Sequence, residues 1–76
     1  MTLAELEASC ADCHACPLGD TRTKLVFGVG CETADLMFVG EAPGEKEDLS
    51  GIPFVGAAGK LFDRYLEAVD IPRESV

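Results

Sequence analysis

Long apolar runs are missing: no stretch approaches the roughly 18 consecutive apolar residues that a membrane-spanning helix needs, which excludes such a span. Basic residues are scarce as well. Six Lys and Arg stand against fourteen Asp and Glu, for a formal net charge of −8. A surface that grips nucleic-acid phosphates is basic, so any such grip must lie mainly outside these residues. The opening Met1-Thr2-Leu3-Ala4-Glu5 is acidic and lacks the apolar core of a signal peptide, and the chain reads as cytoplasmic. Internal repeats and low-complexity segments are also absent. What remains is ordinary globular composition, 47% hydrophobic and 26% charged. A chain of 76 residues makes at most one small domain. Such a domain buries only about 60% of its unfolded surface and usually needs a staple, a metal or a partner.

Cysteine is plentiful for this length. Cys10, Cys13 and Cys16 form C-x-x-C-x-x-C ahead of Pro17, and Cys31 stands apart. Thiols stay reduced in the cytosol, so a metal is expected before disulfides. Two-residue spacing lets thiolates converge on one metal, and iron–sulfur and zinc both remain open. A ferredoxin-type run would carry a fourth cysteine where Asp20 stands, so that motif fails. One alternative is a self-contained four-thiolate module of Cys10, Cys13, Cys16 and Cys31; the bland one is a set of incidental cysteines. His14 lies inside the run and reads as an exposed spectator rather than a ligand.

Thr2 and Glu5 form a T-x-x-E capping box that starts a first helix, with Leu3, Leu6 and Cys10 at helical spacing behind it. The helix should fail near Cys16-Pro17-Leu18-Gly19. Thr23 to Gly28 reads as a short strand and Gly28 to Thr33 as a turn. Leu36-Met37-Phe38-Val39 is an unbroken apolar run ending at Gly40, the pattern of a strand covered on both faces. A long loop is expected from Glu41 to about Gly56. Ala58, Leu61, Phe62, Tyr65, Leu66 and Val69 then mark an amphipathic helix that Asp70-Ile71-Pro72 ends. Two strands and two helices cannot cover both faces of a parallel sheet, so the expectation is the N-terminal portion of an α/β domain, residues 1–76 being a fragment.

The loop carries the chemistry. Small residues in Gly40-Glu41-Ala42-Pro43-Gly44 would let a ligand reach backbone N–H groups, and Glu41 and Glu47 offer carboxylates for water activation or charge placement. Phe54, between Pro53 and Gly56, suits stacking on a planar base. The bland readings are a solvated acidic turn and a core phenylalanine. Gly56-Ala57-Ala58-Gly59-Lys60 is not a P-loop, which would need glycine at Phe54 and a hydroxyl at Leu61.

Taken together, Cys13-His14-Ala15-Cys16-Pro17-Leu18, the run Leu36 to Glu45, Glu47-Asp48 and the run Gly51 to Leu61 closely resemble the family-four uracil-DNA glycosylases, the thermostable type with a [4Fe–4S] cluster. The resemblance runs along nearly the whole chain but covers only about the first third of a typical member. It implies a three-layer α/β/α sandwich around a mostly parallel sheet. It also implies excision of uracil from DNA by N-glycosidic bond cleavage, with uracil-containing DNA as partner. Cys13 and Cys16 match two cluster ligands, the other two being expected later in sequence; Cys10 and Cys31 match none. Gly40, Glu41 and Ala42 match the motif lying along the uracil. Glu41 and Glu47 match acidic site residues, and Phe54 the stacking partner. The asparagine and histidine of the family site lie beyond Val76, so this stretch alone is expected to lack a complete site. Relatives that capture uracil-DNA covalently share the loop, and are distinguished by a basic insertion and a histidine further along.

Overall fold

The computed structural model describes residues 1–76, and its regular structure is entirely helical. Four α-helices follow in order: α1 (Leu3–Cys10), α2 (Leu18–Thr21), α3 (Glu45–Ser50) and α4 (Ala57–Ala68), with a closing 3₁₀ turn at Arg73–Ser75. None is long and apolar enough to cross a membrane.

The capping box forms as the sequence implies. Thr2 Oγ1 accepts the Glu5 N–H at 3.1 Å while Glu5 Oε1 accepts from the Thr2 N–H at 3.4 Å. The helix nevertheless stops at Cys10, well before Pro17. It closes in i to i−3 bonds, Ala11 N–H to Ala8 O and Cys13 N–H to Cys10 O, and beyond it the Arg22 guanidinium donates to the carbonyls of Cys13 at 2.7 Å and Ala11 at 3.4 Å. Those acceptors are then served from outside a helix. Pro17 begins an element rather than ending one: its φ of −57° suits the entry to α2.

The expected loop from Glu41 to Gly56 contains α3. Gly44 is its N-cap, Glu47 at the third helical position reaches back to the Gly44 N–H at 3.0 Å, and Gly51 closes it with φ 77°. Positive φ is free of steric cost only for glycine, so Gly51 fixes where the six-residue helix stops. Helix α4 forms where the three-and-four spacing puts it. It ends in a Schellman turn, with Asp70 N–H donating to Glu67 O and Ile71 N–H to Leu66 O, and with Asp70 at φ 56°.

The α/β sandwich expected from the sequence is not what the structure shows: no strand and no sheet form. The segments Thr23 to Gly28 and Leu36 to Val39 make no backbone-to-backbone hydrogen bond with each other or with any other segment. An apolar run specifies a preference for burial, whereas a strand also needs a neighbouring backbone to supply ladder donors and acceptors. Nor is the second run covered on both faces, since Met37 and Val39 are 81% and 84% exposed. The core is accordingly thin. Leu66 is the one buried apolar side chain. The molecule measures 38 × 30 × 17 Å with a radius of gyration of 13.4 Å, against about 11 Å for a compact chain of this length.

In place of ladders, two carboxylates at the middle of α3 tie it to the chain before and after it. Asp48 Oδ1 accepts the N–H of Thr23 at 2.7 Å and of Lys24 at 3.3 Å. Its neighbour Glu47 reaches the opposite way, to the N–H groups of Val55 and Gly56.

Candidate active site

The residues after Val39 run without regular structure into α3, and those after Gly51 run into α4. Between them opens a cleft of about 700 Å³, within the size range of small-ligand pockets. Gly40, Glu41, Ala42, Glu47 and Phe54 all line it. Residues up to fourteen positions apart thus border one cleft, and these are the positions the sequence nominates for base binding and charge placement. A second hollow of about 410 Å³, between α4 and the 3₁₀ turn, contains none of them.

Phe54 is the strained residue of this lining. It takes φ 55°, in the left-handed region, where a bulky residue costs on the order of 1–3 kcal/mol and persists only when its surroundings hold it. Its ring lies 5.1 Å from Phe62, which packs edge-on against Phe38 at 4.6 Å. Gly40 sits directly against the ring, since a methyl group there would come within 3.3 Å of ring carbons. Gly59, on the first turn of α4, approaches the Phe54 backbone so closely that a methyl group would overlap its carbonyl. The half-buried ring therefore packs on one aromatic neighbour while bordering the open cleft.

The two acidic candidates differ in their surroundings. Glu41 is exposed at the cleft, and its carboxylate makes no hydrogen bond or ion pair. Glu47 is fully engaged: Oε2 accepts from Gly56 at 2.7 Å and Val55 at 2.8 Å, and Oε1 accepts from Gly44 at 3.0 Å. The N–H of Gly56, and after it that of Val55, hold the Glu47 carboxyl below the usual carboxylate range. The Thr23 N–H does the same for Asp48.

A carboxylate held down in this way stabilises the fold above its unfolded pKa, and the contribution disappears as pH falls through the depressed folded value. Stability should therefore drop as the solution is acidified from neutrality to below about pH 4. The double variant Glu47→Gln, Asp48→Asn should show a flatter profile and a lower melting temperature at neutral pH. Thermal melts across that range check this; parallel curves for the two proteins would remove these carboxylates as the cause.

The cysteine region is less concentrated. All four cysteines are free, Cys13 half-buried and Cys16 exposed. His14 Nδ1 lies 3.0 Å from Asp20 Oδ1. Cys31 Sγ is 3.3 Å from the Thr33 hydroxyl, a contact that lowers the pKa of the thiol. No three His, Cys, Asp or Glu side chains come close enough to hold one metal ion. The donor chemistry suits iron or zinc, but the set as arranged does not by itself make a four-ligand site.

Sequence reasoning passed over Arg73. It lines the cleft beside Phe54 and Phe62 and bonds to the loop carbonyls. An isolated arginine after Pro72 carries no motif, so only its contacts reveal it.

Comparison with known proteins adds the family. A model of the uracil DNA glycosylase superfamily matches residues 27–76. The type-4 uracil-DNA glycosylase of Archaeoglobus fulgidus is 48% identical over 75 residues, 99% of this chain and 38% of that protein. The type-4 enzyme of Sulfurisphaera tokodaii is 45% identical over 99% of this chain and 34% of its own length. That of Thermotoga maritima is 50% identical over 84% of this chain and 33% of its own. The chain thus spans between a third and two-fifths of the length of these relatives. Since the matched region takes in the whole cleft loop from Gly40 to Gly59, the chain belongs to the uracil DNA glycosylase superfamily.

Proposed function

We propose that the complete protein is a DNA-repair hydrolase that works in the cytoplasm and excises uracil from DNA, residues 1–76 being the N-terminal part of its single glycosylase domain. The observation that carries this reading is the meeting of Gly40, Glu41, Ala42 and Phe54 in one cleft. A flipped uracil would stack on Phe54, and the N–H groups of Gly40 to Ala42 would face a carbonyl oxygen of the base. As the N-glycosidic bond breaks, uracil leaves with the bonding electrons and those donors stabilise its charge. Glu41 orients the attacking water or supports the cationic sugar. Glu47 is the second acidic residue of the site, and its three N–H partners make it the group that holds the loop in place. The net charge of −8 assigns the main phosphate grip to residues outside this chain.

The test is excision by the complete protein from an oligonucleotide with a single uracil, read as alkali-labile abasic sites. Base–aromatic stacking contributes about 1–3 kcal/mol, so Phe54→Ala should lose on the order of tenfold to a hundredfold in activity. Retained activity per folded molecule together with a collapse in thermal stability would make Phe54 a core residue instead.

Cys13 and Cys16 are proposed as two ligands of a structural [4Fe–4S] cluster, which needs two further thiolates. In the complete protein, Cys13→Ala and Cys16→Ala should each abolish iron and acid-labile sulfide, whereas Cys10→Ala and Cys31→Ala should leave both nearly intact. Equal loss from all four would favour a local four-cysteine site.

A further inference from the structure

Arg73 has no part in the function proposed above, yet its contacts converge on the strained residue of the cleft. Its Nη2 donates to the carbonyl of Pro53 at 3.1 Å and to that of Phe54 at 3.3 Å. Its Nη1 pairs with Asp63 on α4. The guanidinium carbon lies 5.7 Å from the centre of the Phe54 ring and 5.1 Å from that of Phe62, within the range of cation–π attraction.

The two carbonyls bear on the dihedral angles of Phe54. The Pro53 carbonyl belongs to the peptide plane before the Phe54 Cα, whose orientation sets φ; the Phe54 carbonyl belongs to the plane after it, which sets ψ. One guanidinium nitrogen tethers both planes, and the other end of the fork is anchored to α4. A left-handed conformation that phenylalanine would not choose is thereby imposed from outside. Lysine offers a flexible point charge without a planar fork, and could not fix both planes while lying over the ring.

The geometry points to Arg73 as a positioning residue, a dihedral clamp that sets the Phe54 ring at the cleft and so governs capture of a planar base. This rests on the reading of Phe54 as the stacking residue. The experiment measures kcat and KM of the complete protein on a single-uracil, single-stranded oligonucleotide. Arg73→Met, Arg73→Lys, Phe54→Ala and both double variants are compared, each rate being scaled to the folded fraction by circular dichroism. Arg73→Met should lose about tenfold in kcat/KM, a loss of stacking size, and Arg73→Lys nearly as much. Neither should cost anything more once Phe54 is alanine, because the clamp then has no ring to place. A merely structural arginine would give losses that multiply with that of Phe54→Ala. Multiplying losses, full activity in Arg73→Lys, or Arg73→Met within twofold of wild type while Phe54→Ala is impaired would each overturn the proposal. Should Arg73→Met fail to fold, Arg73→Lys and its double variant decide by the same criteria. Undiminished activity in Phe54→Ala itself would instead refute the stacking role, a distinct result that also removes the reason for a clamp.

Discussion

Glu41→Gln in the complete protein should lower kcat for uracil excision by roughly 10²- to 10³-fold, the range seen when one preorganised electrostatic contact to a transition state is removed. The side chain stands at the cleft without a partner, so its charge is not spent on holding the fold. Glutamine keeps the shape and removes the charge. A cationic sugar exists only as the bond breaks, so the loss should fall on kcat and leave KM nearly unchanged. The melting temperature should barely move, because an exposed side chain without hydrogen bonds contributes little to stability. Glu47→Gln should behave in the opposite sense, losing stability through the Gly44, Val55 and Gly56 contacts. A full-rate Glu41→Gln protein would take the carboxylate role away from this residue.

Gly59→Ala should be severely damaging, although alanine is about 1 kcal/mol better than glycine inside a helix. A methyl group at Gly59 would overlap the Phe54 carbonyl and stand 2.7 Å from its Cα. Both obstacles are backbone, so no flexible side chain can yield. Overpacking of this kind costs about 1–3 kcal/mol or more. In the complete protein the melting temperature should fall by roughly 5–10 °C. Displacing Phe54 should also reduce excision per folded molecule by about tenfold or more. Differential scanning calorimetry and the abasic-site assay together check both parts. A variant that melts at or above wild type would show that α4 does not need this approach to Phe54.

The features legible in the sequence are those set by local chemistry. The T-x-x-E box, the three-and-four spacing of α4 and its end at Asp70 each depend on residues within one or two turns, and each forms. The residue types single out Gly40, Glu41, Ala42, Glu47 and Phe54, and these five line one cleft. The missing sheet shows the limit of that reasoning. Leu36 to Val39 has the composition of a buried strand, yet pairing depends on a second backbone that composition cannot guarantee. Helix α3 was hidden because Gly44, Glu47 and Gly51 read as loop residues until their cap geometry is seen. Arg22 and Arg73 were hidden for another reason: each acts on carbonyls, and carbonyls leave no trace in the sequence.

The two carboxylates on α3 also bear on the path by which the chain finds this arrangement. Asp48 closes a loop of 25 residues back to Thr23, while Glu47 closes one of 8 residues forward to Val55. Loop-closure entropy grows with the logarithm of length, so the longer closure costs roughly 1 kcal/mol more. The short loop, which brings Phe54 towards α3, therefore has the smaller entropic barrier. On loop closure alone, the contact of Glu47 with Val55 is expected to form before that of Asp48 with Thr23, two adjacent residues of one short helix thus differing in the entropy of their closures.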